Sequence, residues 1–246
     1  MPTIDWKSET EFALEGVNFK CILSDYAKYE TSSEEVILIK DKHSIDLYQE
    51  IFEKTPPARV LEFGTYQGGS PVLLMLMFNL QKYVGIDLRP PISGVQEFLD
   101  KHPVGRRVSI HYNVSQDNGE AIRSIVASEF GDNPIDLIID DASHQYELSR
   151  RTFEIAFPLL RPGGIYVLED WGWAHWPHFE QWQDAPALSN LVFQLTALCA
   201  AHSELIQDMR IFPVFLFIKK SGSPSPKTEL TLDSLIGTRA ERLNLI

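Results

Sequence analysis

The chain has 246 residues, 44% of them apolar, which suffices for one large α/β domain with modest additions and argues against two domains of equal size. A formal charge of −12 with a pI near 5.0 argues against a phosphate backbone as partner, since nucleic acid binds a basic surface, and points to a small molecule. Cys21 and Cys199 form no CxxC pair, so neither a disulfide framework nor a zinc knuckle is indicated. The amino terminus MPTIDWKSETEF lacks the basic and apolar regions of a signal peptide, and LLMLMF at 73–78 is too short to span a bilayer. A cytoplasmic protein without a membrane partner is expected.

Residues 1–57 precede the first convincing buried strand and read as an N-terminal cap segment packed over the ligand edge of a sheet. Within it VILIK at 36–40 is a strand or a buried extended piece, and Ile45 to Lys54 has helical spacing until Pro56-Pro57 breaks it. Lys40, Lys42 and His43 are either loop groups placed over a site or a solvated turn.

Val60 to Phe63 is then a short strand, Gly64 to Ser70 (GTYQGGS) a glycine-rich turn, and the apolar run after Pro71 a helix. The turn has neither the GxGxxG nor the GK[ST] pattern, so a P-loop is excluded, and by itself it is weak evidence of a nucleotide site. The next strand, KYVGIDLRP at 82–90, ends in Asp87, 23 residues after Gly64. An acid there is placed to accept hydrogen bonds from ribose hydroxyls, or else caps the loop before Pro90-Pro91. A helix at 94–102, a strand at 107–115 and a helix at 120–130 follow, with Ser115-Gln116-Asp117 in the loop where an adenine would be gripped.

Ile135 to Trp171 reads as strand, loop, helix, turn, strand, the helix running from near Leu148 to Leu160 and closed by Arg161-Pro162-Gly163-Gly164. A right-handed crossover makes the two strands parallel neighbours, so Asp140-Asp141 and Glu169-Asp170 emerge at one edge of the sheet together with His144. Carboxylates gathered there repel one another, which a cation relieves; the milder reading is that they cap a helix or stay in water. Oxygen donors suit a hard divalent ion such as magnesium, and a histidine beside it suits a general base for a hydroxyl.

Beyond Asp170, residues 171–186 hold four of the five tryptophans. Trp171, Trp173, Trp176 and Trp182 either close over a ligand or form the core of an insertion. A helix from Ala187 to His202, a hairpin at 205–212 and 214–219, a linker and a weak terminal segment complete the chain. The tail is a candidate for docking on a neighbouring subunit, so a homo-oligomer is a possible assembly. The alternation of strands and helices makes a doubly wound α/β sheet the expected architecture.

EFGTYQGGS, GIDL, IDLIIDDASHQY and GGIYVLEDW, in this order, resemble the class I methyltransferases that use S-adenosylmethionine. More narrowly, DDxSH followed 28 residues after its second Asp by ED is similar to the metal-dependent macrolide-sugar O-methyltransferase and cephalosporin hydroxylase group. The resemblance covers residues 58–171 and extends loosely to 220. It implies a Rossmann-like methyltransferase fold, a seven-stranded mostly parallel sheet ending in an antiparallel hairpin. It also implies a methyltransferase domain at 58–220, after the cap at 1–57 and before a linker and C-terminal tail at 221–246.

Residue by residue, the resemblance implies that Glu62, Gly64, Gly68 and Ser70 line the amino acid part of S-adenosylmethionine. Asp87 would bind the ribose, Ser115 with Gln116 would flank the adenine, and Asp140 would sit beside the methionine moiety. Asp141, Glu169 and Asp170 match the magnesium ligands, and His144 the catalytic base. The function expected is Mg-dependent O-methyl transfer to a hydroxyl of a sugar, polyketide or other small natural product. The alternatives are a cofactor-binding module without catalysis, or a hydrolase or cyclase on the same scaffold.

Overall fold

A computed structural model of the chain describes residues 1–177, 186–223 and 230–236. The chain begins with strands β1 (Asp5–Trp6), β2 (Glu11–Leu14) and β3 (Val17–Cys21), an antiparallel meander. Glu15 (φ 50°) and Gly16 (φ 82°) both take left-handed backbone between Leu14 and Val17, the two-residue turn whose twist matches paired strands. β4 (Glu35–Leu38) adds in parallel to β3, so VILIK is a strand. Helix α1 (Lys42–Phe52) starts where the Asp41 carboxylate accepts the Ser44 N–H at 2.7 Å.

Strand β5 (Arg59–Phe63), helix α2 (Gly69–Phe78), strand β6 (Lys82–Asp87), helix α3 (Ser93–Lys101) and strand β7 (Val108–Tyr112) then alternate. They are followed by α4 (Gly119–Phe130), β8 (Ile135–Asp140), α5 (Tyr146–Ala156), β9 (Leu160–Glu169), α6 (Ser189–Ala201), β10 (Ile206–Ile211), β11 (Phe215–Lys220) and α7 (Leu232–Ile236). The second sheet has seven strands in the order β10-β11-β9-β8-β5-β6-β7. β6 runs parallel to β7 and β8 to β9, whereas β11 is antiparallel to both β9 and β10, giving the terminal hairpin. This is the α/β methyltransferase-type sheet expected from the sequence.

The chain divides into two compact units, Met1–Val60 with Thr65–Val114, and Leu61–Gly64 with Ser115–Ile246. In the first, Phe12 stacks on Phe19 at 4.7 Å between ring centroids, and Phe52 of α1 meets Phe78 of α2 edge-on at 5.5 Å. In the second, β8 buries Leu137, Ile138 and Ile139 completely, and Tyr166 of β9 meets Phe153 of α5 at 5.1 Å. α7 is pinned to α5 by the Leu232 N–H, which donates to the Glu154 carboxylate at 2.8 Å, with the Leu232 side chain fully buried.

Two boundaries differ from the sequence reading. α5 stops at Ala156 and tightens into a 3-10 turn, Phe157–Leu159, because Pro158 has no N–H to continue the helix. Arg161 to Gly164, expected to be a turn, lies inside β9, where the pairing jumps from Ile135↔Leu160 to Leu137↔Ile165. The extra residues are accommodated as a bulge with Gly163 at φ 72°. Residues 224–229 and 237–246, in the expected linker and tail, lie outside the described residues. Among the described residues no helix is long and apolar enough to cross a membrane.

Candidate active site

In the first unit the glycine-rich turn closes with the Gly68 N–H on the Thr65 carbonyl at 2.8 Å. Tyr66 (φ 41°) and Gly68 (φ 70°) supply the left-handed residues that such a tight path needs. A side chain at Gly68 would also strike Val95, at 2.6 Å from its Cγ1. Asp87, 5% exposed at the end of β6, holds the turn: its Oδ2 accepts the Thr65 N–H at 2.8 Å, the Tyr66 N–H at 3.0 Å and the Thr65 hydroxyl at 3.1 Å. Its Oδ1 accepts the Arg89 N–H at 2.9 Å and Arg89 Nε at 3.3 Å, and the Arg89 guanidinium lies 4.2 Å from the centre of the Tyr66 ring. Burial pushes the Asp87 carboxyl up, but the N–H groups of Arg89 and Thr65, the Arg89 charge and the Thr65 hydroxyl outweigh it and hold the group below its ordinary value. Gly68, Ser70 (buried in the first turn of α2) and Asp87 therefore belong to one turn-and-acid arrangement.

In the second unit the parallel pairing Asp140↔Leu168 brings Asp141 and Glu169 to the same end of adjacent strands. Asp141 continues the ladder by donating its N–H to Phe63 O at 2.9 Å, and Asp170 does so to Val214 O at 2.7 Å. Gly64 (φ 85°) packs directly on this loop: a Cβ there would lie 2.2 Å from the Asp141 carbonyl. The glycine is thus required by the acidic loop's own backbone.

Two sets of donor atoms meet here, each within 4.8 Å of one another: Glu62, Asp141 and Glu169, and Asp141, His144 and Asp170. Asp141 is shared. His144 Nε2 lies 4.0 Å from Asp141 Oδ1 and 3.9 Å from Asp170 Oδ2. His144 (φ 54°) and Asp170 (φ 58°) both have left-handed backbone, a cost that a non-glycine residue carries where the surroundings dictate its direction. Glu62, expected on the cofactor's amino acid part, thus stands fully buried among the carboxylates expected on the metal.

Asp140 points away from solvent, 1% exposed. Its Oδ1 accepts from Gln116 Nε2 at 3.2 Å and its Oδ2 from the Tyr166 hydroxyl at 3.4 Å. Burial pushes its carboxyl up to about 7, and the charge of Asp141 adds to the rise, against hydrogen bonds that favour the ionised form. Gln116 also donates to Thr152 Oγ1 at 2.8 Å and accepts the Ser143 N–H at 3.0 Å, so the amide expected beside an adenine is engaged inside the fold. The Ser115 hydroxyl donates to Asp117.

The tryptophan-rich run supplies a contact that the sequence did not single out. Trp173 packs against the His144 imidazole, centroid to centroid 4.4 Å and tilted by 48°. Trp171 Nε1 donates to Phe212 O at 2.9 Å, and His175 Nε2 meets Ser189 Oγ at 2.8 Å. His144, Asp170, Trp171, Trp173, Ala187 and Leu188 line a small recess, while Trp176 is 38% exposed. Trp182 lies outside the described residues. Tyr166 and Thr152 were also missed; Tyr166 had one available signal, a hydroxyl within the apolar run Ile165 to Leu168.

Residues 61–171 match the methyltransferase domain family. L-olivosyl-oleandolide 3-O-methyltransferase of Streptomyces antibioticus is 39% identical over 121 residues, 49% of this chain and 30% of that protein. An uncharacterised protein of Acanthamoeba polyphaga mimivirus is 30% identical over 160 residues, 63% of this chain and 68% of that protein. The MycE methyltransferase of the mycinamycin pathway, solved with Mg, SAH and mycinamycin VI, superposes with a TM-score of 0.55 at 26% identity, over 72% of this chain and 48% of that one. The chain thus spans less than half the length of the macrolide relatives it matches. The domain match lies over the strands, turn and acids described above, so residues 61–171 form a methyltransferase domain.

Proposed function

We propose that this chain is a metal-dependent O-methyltransferase acting on a hydroxyl of a small natural product, with a sugar hydroxyl as the favoured acceptor class. The observation that carries the reading is the meeting of His144 with Asp141 and Asp170, and of Asp141 with Glu62 and Glu169. Cofactor binding alone has no use for that set. The similarity to macrolide-sugar O-methyltransferases, and to MycE with its Mg and SAH, supports the same reading.

The donor chemistry fits a hard divalent cation: carboxylate oxygens dominate, and one imidazole stands at the rim. Asp141, Glu169 and Asp170 would hold the ion, with Glu62 beside them. Such an ion, when bound, neutralises the carboxylates and acidifies a coordinated hydroxyl. His144 Nε2, beside Asp141 and Asp170, would take the proton of the acceptor hydroxyl. Trp173 packs against one side of the imidazole, a contact that helps to orient the base before the acceptor arrives. Asp87 and the Thr65–Ser70 turn would hold S-adenosylmethionine, with Asp87 placed at the ribose.

Calorimetric titration of S-adenosylmethionine and S-adenosylhomocysteine into the protein, with and without Mg2+, tests the reading. Binding of both establishes the cofactor, and a screen of sugar and phenol hydroxyls then tests transfer. No binding in either condition sinks it. Binding with no transfer to any acceptor, and no affinity for Mg2+ or Mn2+, would favour a cofactor-binding module without catalysis.

A further inference from the structure

The N-terminal segment gains a role when its hydrogen bonds are followed. Thr31, 4% exposed, lies in the loop before β4 and spends its polar groups on the glycine-rich turn. Its hydroxyl donates to the Gln67 carbonyl at 2.5 Å, and its N–H donates to Gln67 Oε1 at 3.1 Å. The same hydroxyl accepts the Ile37 N–H at 3.0 Å, which ties the first residue of the strap to the strand that follows.

Close packing shows that this contact is built in. A Cβ at Gly69 would lie 2.2 Å from the Ile37 carbonyl, so the start of α2 is laid directly on β4. A Cβ at Gly94, in the first turn of α3, would lie 1.7 Å from the Thr31 carbonyl. Residues 31–38 are therefore wedged against two elements of the first unit that only glycine permits to come so near. The turn is held at its entry by Asp87, through Thr65 and Tyr66, and at its exit by Thr31, through Gln67. A turn that presents backbone to a ligand binds well only if its path is fixed beforehand.

We propose that Thr31 is a positioning residue for the cofactor turn, and that the strap 31–38 sets the affinity for S-adenosylmethionine without touching it. This rests on the cofactor reading above. The test uses S-adenosylhomocysteine as probe, titrated calorimetrically well below the melting temperature of each variant. T31V keeps the shape and removes the hydroxyl; it should weaken binding by about tenfold, the equivalent of one lost hydrogen bond. T31S should restore wild-type affinity. Gln67→Leu cuts the same strap from the other side by removing the acceptor of the Thr31 N–H, and should weaken binding several-fold even if T31V does not fold. Ile45→Val, in the core of α1, should lower the melting temperature and leave affinity unchanged. Wild-type affinity in T31V or Gln67→Leu overturns the proposal. Failure of the wild-type protein to bind the probe overturns the cofactor reading itself, and this inference with it.

Discussion

Gln116 donates to the Asp140 carboxylate at 3.2 Å and accepts the Ser143 N–H at 3.0 Å, so one buried amide fastens both sides of the loop that carries Asp141. The Thr152 hydroxyl completes the arrangement by accepting from Gln116 Nε2 and donating back to the helix. The acidic loop is thus fixed from beneath before any ion or substrate acts on it.

Gln116→Leu preserves volume but leaves the Ser143 N–H and an Asp140 oxygen without their partner. The expected loss is about 2–4 kcal/mol in urea unfolding, and the folded fraction should also bind Mn2+ more weakly. Unchanged stability would mean that these groups find other partners.

His144→Ala should lower turnover by about 10²–10⁴-fold with any acceptor that supports methylation, the usual contribution of a positioned general base. Its affinity for S-adenosylhomocysteine should stay within about twofold of wild type, because the base serves the transition state. Equal turnover in the variant would remove His144 from the mechanism.

Asp141 belongs to both donor sets, so its loss removes a ligand from either. Asp141→Asn should weaken Mn2+ binding, followed by electron paramagnetic resonance, by about 100-fold, whereas Asp136→Asn, at the opposite end of β8, should not. If chelator leaves the turnover of the wild-type protein intact, the metal reading fails whatever Asp141→Asn does.

The depressed pKa of Asp87 has a definite sign. Its carboxylate adds stability that is complete above the ordinary Asp value and is lost as pH falls through the lower folded value. Acid unfolding of the wild-type protein should therefore show a component that Asp87→Asn lacks, and the variant should gain relative to wild type as pH drops. Parallel acid unfolding curves would contradict this.

His202 behaves in the opposite sense. Its hydrogen bond to Glu204 raises its pKa, as does its bond to the Leu235 carbonyl of α7. The stability it provides is complete below the ordinary histidine value and is lost as pH rises through the raised one. Amide exchange in Leu232–Ile236, corrected for the intrinsic rate, should lose protection as pH climbs through that window. His202→Asn should flatten the response; a flat response in the wild-type protein would show that the packing of Leu232 alone holds α7.

What the sequence by itself determined is the part written in local pattern. The β-branched runs at 135–139 and 165–168, each followed by two acids, dictate parallel strands with carboxylates at one end, because a right-handed crossover admits no other arrangement. The glycine turn followed by Asp87 was legible for the same reason: strand, turn and helix alternate at a spacing that leaves the acid beside the turn. Tertiary structure alone decided which partner each of these groups meets. Glu62 joined the carboxylates, Gln116 turned inward to Asp140 and Ser143, and Gly64 proved necessary to the backbone of Asp141. Thr31 reached the turn across 36 residues of chain, and Trp173 settled against a histidine that precedes it in sequence by a helix and a strand. Such contacts join residues far apart in the chain, and their hydrogen-bonding capacity can be satisfied in many ways until packing leaves only one.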